Sequence, residues 1–163
     1  MYYFIFDLDE TLYQTDQTDP NNKLKNNIIK VSNIEKVSKL GKIILFSNGN
    51  YNHCEKILEE LKIKKYFSVI ICYDTFKIYK PNPLVYNKLV TNCGFNSELD
   101  TIFFFDDLPI NLLSAYQYNW NTILINKNYE NQNQTKKFKE VYINYIFKNI
   151  NLALEYLIFF LKD

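Results

Sequence analysis

The sequence predicts a three-layer α/β domain with a central, mostly parallel five-stranded sheet. Three observations carry that expectation: five short apolar runs alternate with longer helical patterns, Gly and Pro punctuate the joins, and 163 residues suit one domain. Strands that alternate with helices imply parallel pairing through right-handed crossovers, because each helix has to pack back onto the sheet it left.

Along the chain, the first strand is expected over residues 2–6, an apolar and aromatic run fit to be covered on both faces. A helical pattern over residues 22–40 runs up to Gly41. The second strand falls at 42–46, with a helix at 51–62, and the third at 68–72, with a helix at 83–93. Asn82 and Pro83 supply a cap and a first-turn proline there, and Gly94 ends the helix. A fourth strand at 101–105 leads to a helix at 109–118 opened by Pro109, and a fifth strand occupies 121–125. Residues 127–134 read as a polar, Asn-rich linker, and 135–162 as a terminal helical segment interrupted near 149–151 and packed on the core. No repeat and no second domain are expected, so residues 1–163 form a single domain.

Composition narrows the function classes. A hydrophobic content of 47% with 14 Tyr and 13 Phe is enough for a core and too high for a disordered chain. The formal net charge of +1 lacks the basic surplus of a dedicated nucleic-acid or anionic-membrane binder. No apolar run approaches the roughly 20 residues that span a bilayer. The amino-terminal residues run directly into Asp7 and Asp9 without the marks of a signal peptide, so a cytoplasmic protein with no membrane association is expected. Cys54, Cys72 and Cys93 have no metal-binding spacing and read as free, buried or half-buried thiols. The absence of Arg beside abundant Lys, Asn, Ile and Tyr reads as AT-rich coding drift.

The polar residues fall at the predicted strand ends. Asp7 and Asp9 leave the first strand, Ser47-Asn48-Gly49 the second and Asp106-Asp107 the fourth, while Lys80 lies in the loop after the third. In an open parallel sheet the carboxyl edge is where ligands bind. Hard oxygen ligands without His or Cys suit Mg²⁺, and a cation with a lysine would neutralise a phosphoryl group that a carboxylate attacks. The constellation points to metal-assisted phosphoryl transfer. Each part also has a plainer reading: Asp106 and Asp107 as helix caps, Ser47 and Asn48 as a helix start, and His53 as a surface or capping residue with substrate contact as the alternative.

Together, Asp7-Leu8-Asp9-Glu10-Thr11-Leu12-Tyr13, Ser47-Asn48-Gly49, Lys80-Pro81 and Phe105-Asp106-Asp107 resemble the four ordered motifs of the haloacid dehalogenase superfamily. The wording is nearest its phosphatases and pyrimidine 5′-nucleotidase-like members. The resemblance implies a Rossmann-like core, with Asp7 as nucleophile and metal ligand and Asp9 as general acid and base that also offers its backbone carbonyl to the metal. Lys80 would pair with phosphate and Asp7, and Asp106 and Asp107 would bind Mg²⁺. Leu8, Thr11, Ser47, Asn48 and Gly49 would line the phosphate and support the acidic loop.

Two departures from the family pattern stand out. Lys77 replaces a common Gly three residues before the motif lysine, and Tyr118-Asn119-Trp120 replaces a Gly-containing turn. The stretches from Asp7 to Ser47 and from Ser47 to Lys80 leave no room for a substantial cap domain. The expected activity is Mg²⁺-dependent phosphomonoester hydrolysis, with nucleotide monophosphates favoured. A phosphatase for phosphoprotein or nucleic-acid ends and a non-catalytic phosphate-binding scaffold are the alternatives, and homo-oligomerisation stays open.

Overall fold

The computed structural model describes residues 1–16, 18, 25–96, 98–129 and 140–161. Its main sheet has six strands, β1 (Tyr2–Phe6), β4 (Gly41–Phe46), β5 (Phe67–Ile71), β6 (Thr101–Asp106), β7 (Asn121–Ile125) and β8 (Tyr145–Phe147). They lie in the order β5-β4-β1-β6-β7-β8, and every adjacent pair is parallel. The chain builds outward from β1 first to one side and then to the other. That reversal sets the carboxyl ends of β4, β1 and β6 side by side.

Alternation within each strand assigns the two cores. Phe4, Phe6, Leu45 and Phe105 face α1 (Val31–Leu40), α2 (Tyr51–Glu60) and α6 (Ile150–Phe160) through Ile34, Val37, Leu58 and Leu154. Tyr3, Ile5, Ile44, Phe46 and Phe104 face α4 (Pro83–Cys93) and α5 (Pro109–Tyr116) through Tyr86, Leu89 and Leu112. Aromatic pairs in register tie β1 to β6: the Phe6 and Phe105 rings stack with centroids 4.5 Å apart, and Phe4 and Phe103 at 5.5 Å. Gly41, paired with Tyr2, is glycine because a Cβ there would lie 2.2 Å from the Tyr2 carbonyl oxygen.

The sheet has one strand more than the sequence predicts. Tyr145–Phe147 adds in parallel to β7 inside the stretch expected to be helical, and the helix itself begins at Ile150, where the Asn149 side chain accepts from the Leu152 N–H at 3.1 Å. The first helix is also shorter than residues 22–40. It starts at Val31, and Lys25–Asn26 (β3) instead pairs antiparallel with Gln14–Thr15 (β2). Asn27 breaks the helical run with a left-handed φ of 48°, its side chain donating to Gln14 at 2.7 Å. The helices expected over 51–62 and 109–118 end two residues early, and a four-residue helix, α3 (Tyr73–Phe76), precedes the Lys80 loop. Most of the expected linker, residues 130–134, and the start of the terminal segment, 135–139, lie outside the described residues.

Cys54 and Cys72 are buried free thiols and Cys93 a half-buried one, as expected. Among the described residues no helix is long and apolar enough to cross a membrane, and no separate cap domain is inserted between Asp7 and Lys80.

Candidate active site

The β1 ladder continues one residue past the strand, with the Asp7 N–H donating to the Phe105 carbonyl at 2.9 Å. This sets Asp7 against Asp106, the last residue of β6. Lys80 closes the group from the other side. Its ammonium donates to Asp7 Oδ1 at 2.8 Å, to Asp106 Oδ2 at 2.7 Å and to the Phe46 carbonyl at 2.8 Å. An ammonium has three protons, so all are spent inside the protein. A direct contact from Lys80 to phosphate would require one of them to be released.

The Lys80 loop is clamped by its backbone. Asn48 accepts from the Lys80 N–H at 2.7 Å and donates to the Lys80 carbonyl at 3.1 Å, so its amide oxygen and one of its two amide N–H groups hold the loop. Ser114 secures the next peptide by donating to the Pro81 carbonyl at 2.9 Å. Ser47 is buried, and its hydroxyl accepts from the Gly49 N–H at 3.0 Å. Thr11 donates to Asp7 Oδ2 at 3.1 Å, which fixes the second oxygen of that carboxylate. The Leu8 side chain is buried in the core, so this residue can offer the site only its backbone.

Asp106 is wholly buried and further held by the Leu108 N–H at 2.9 Å and by the Asn111 amide at 3.0 and 3.1 Å. Asp107 lies beside it. Asp7, Asp106 and Asp107 each offer a carboxylate oxygen within 4.8 Å of the other two. Burial, reinforced by Asp106 and only partly offset by Lys80, pushes the Asp7 carboxyl up to about 7. Burial, together with the charges of Asp106 and Asp7, also raises Asp107 to about 7. Burial alone would lower Lys80, but Asp106 and Asp7 outweigh it and hold the ammonium above its ordinary value. Three carboxylates against one ammonium leave surplus negative charge, and an all-oxygen donor set of this kind fits a hard divalent cation.

Asp9 stands apart from this cluster. The Tyr13 hydroxyl donates to its Oδ1, and the His53 ring nitrogen Nε2 lies 2.8 Å from Oδ1 and 3.0 Å from Oδ2. The structure therefore brings Asp7, Lys80, Asp106 and Asp107 into one group, with Asp9 beside it in its own hydrogen-bond set. The sequence places Tyr13 in the first motif without giving it a role, gives Asn111 none, and reads His53 as a surface or capping residue with substrate contact as the alternative. The available signals were position only: Tyr13 follows Asp9 by one helical turn's spacing, and Asn111 follows Asp106 into α5.

The haloacid dehalogenase-like hydrolase model matches residues 31–125, more than half of the chain. The chain belongs to that family. The match begins after Asp7–Tyr13, which the sheet brings to the same edge. The chain is similar to (S)-2-haloacid dehalogenase 4A of Burkholderia cepacia, at 28% identity over 95 residues, 58% of this chain and 40% of that protein. Among solved structures it resembles L-2-haloacid dehalogenase from Xanthobacter autotrophicus, with a TM-score of 0.68 at 10% identity over 95% of this chain and 97% of that one. It also resembles an HAD phosphatase from Thermococcus onnurineus, with a TM-score of 0.58 at 18% identity over 78% of this chain and 55% of that one. The chain thus spans less than half of its curated relative and about half of the phosphatase. At these identities the structural likenesses speak for the fold of this family member, and the chemistry has to be argued from its own side chains.

Proposed function

We propose that the chain is a Mg²⁺-dependent phosphomonoester hydrolase that works through an aspartyl-phosphate on Asp7, with nucleotide monophosphates as the favoured substrates. The observation that carries this reading is the division of labour among the carboxylates: Asp7, Asp106 and Asp107 are crowded together around Lys80, while Asp9 is held separately and is half exposed.

Asp7 would attack phosphorus through a carboxylate oxygen while the bond to the leaving oxygen breaks, and Asp9 would give that oxygen its proton. Asp9, now ionised, would take a proton from water as that water attacks the acyl phosphate. This releases phosphate and restores Asp7. Lys80 and Thr11 hold the two Asp7 oxygens in place, and Asn48 fixes Lys80. Asp7, Asp106 and Asp107 would hold Mg²⁺, which when bound neutralises the charge of the phosphoryl oxygens.

The haloacid dehalogenase relative suggests a rival chemistry. Halide leaves without a proton, so it gives Asp9 no task as an acid, and the carboxylate of a haloacid would meet three further carboxylates. The charge of this site favours a phosphate with its cation. The test measures phosphate release from nucleotide monophosphates and p-nitrophenyl phosphate, and chloride release from 2-chloropropionate. Phosphate release that needs Mg²⁺ and falls by at least about 10³-fold in Asp7→Asn is expected, in the range for loss of a covalent nucleophile. Chloride release, or phosphate release unaffected by chelation, overturns the proposal.

A further inference from the structure

We propose that His53 is the positioning residue for Asp9, holding its carboxyl group in the orientation from which the proton reaches the leaving oxygen. The inference rests on the phosphatase reading and adds to it a residue outside the four motifs.

The Asp9 side chain is 46% exposed, and a carboxyl group so open to water would ordinarily sample several rotamers. Here it is gripped from two directions, by Tyr13 from its own loop and by His53 from the first turn of α2. An ionised carboxylate only accepts, so the ring nitrogen facing it carries the hydrogen. Oδ1 receives both donors, whereas Oδ2 receives only the longer, 3.0 Å arm of the imidazole contact. The proton of Asp9 therefore belongs on Oδ2, and Oδ1 serves as the anchor. His53 takes no part in the transfer itself: Asp9 gives its proton to the leaving oxygen and regains one from the attacking water.

Two further features show that the imidazole is placed for this contact. The helix cap is made by the backbone N–H of His53 donating to Asn50 at 2.9 Å, a bond that any residue at this position would provide. The ring is therefore not needed for capping, and at 39% side-chain exposure it is not core packing either. Gly49 leaves the space the ring occupies: a Cβ there would come within 3.0 Å of His53 Cδ2. A side chain at Gly49 would press on the imidazole and displace it by a few tenths of an ångström.

The experiment uses leaving groups that differ in how much they need an acid. The kcat of wild type, His53→Ala and His53→Gln is measured with Mg²⁺ on p-nitrophenyl phosphate, phenyl phosphate and glycerol 2-phosphate. A positioned general acid is worth roughly 10²–10⁴-fold, and a stable phenolate leaves without it. His53→Ala should therefore lose about 30-fold or more on glycerol 2-phosphate and under about threefold on p-nitrophenyl phosphate, with KM little changed. His53→Gln, whose amide N–H can replace the imidazole donor, should recover most of the loss. An equal loss on all three esters, no loss on the alkyl ester, or no recovery by glutamine overturns the role of His53 while leaving the phosphatase reading standing. A wild-type protein inert towards all three overturns both.

Discussion

At the scale of single residues, Lys80 is the centre of the site. It is buried with no side-chain exposure, and Asp106 is equally buried. A lysine can sit there only because two carboxylates and a carbonyl take its three protons. The dependence is mutual, since both carboxylates lose their only described cationic partner if the lysine is cut back. Lys80→Met should therefore abolish turnover and cost about 3–5 kcal/mol of stability, the usual penalty for stranding buried charge. Urea unfolding measures the second effect independently of the first, and a variant as stable as wild type would count against the arrangement. Asn48 illustrates the same economy: its amide spends its oxygen and one N–H on the backbone that carries the lysine.

At the scale of elements, the site is a row of strand ends, and this is why so much of it was legible. Strands buried on both faces appear in the sequence as unbroken apolar runs, and the carboxylates that end them mark the carboxyl edge. That logic located Asp7, Ser47 and Asp106. It failed for β8, because three residues, Tyr145–Phe147, are too few to show a period, and their pairing depends on β7 some twenty residues earlier. It failed for the start of α1 because the Lys, Asn and Ile spacing before Val31 imitates a helix until Asn27 turns left-handed. The link from His53 to Asp9 spans 44 residues and exists only once the loops after β1 and β4 meet. The two departures from the family pattern became readable in the backbone. Lys77 at φ 55° and Asn119 at φ 60° hold left-handed conformations in the two stretches where the family resemblance leads one to expect a glycine. Lys77 ends α3 in that conformation, at a strain of about 1 kcal/mol for a residue with a Cβ. Lys77→Gly should relieve part of it, so a melting temperature raised by about 1–2 °C is expected from calorimetry, against unchanged catalysis.

At the scale of the whole molecule, the near-zero net charge conceals an uneven distribution. Asp7 and Asp107 both titrate near 7 when folded, against about 3.9 for a free aspartate. A raised carboxyl means that the folded state binds protons more tightly than the unfolded one, so between those values stability falls as pH rises. Metal-free protein should accordingly melt lower at pH 8 than at pH 5. Mg²⁺ should raise the melting temperature at pH 8 by roughly 5 °C or more and have much less effect at pH 5. A metal-induced shift of the same size at both values would contradict a cation site made of these carboxylates.

The position of β1 between β4 and β6 has a consequence for how the molecule comes into being. β1 needs a neighbour that begins at Thr101, so at roughly 5–20 residues per second the ribosome makes it wait about 5–20 s for that partner. Throughout that interval the Tyr2–Phe6 row has an open edge, the kind of surface on which nascent chains aggregate. Docking β6 both covers that edge and carries Asp106 to Asp7. Closure of the sheet and assembly of the site are thus the same event, and a chain arrested before it has neither.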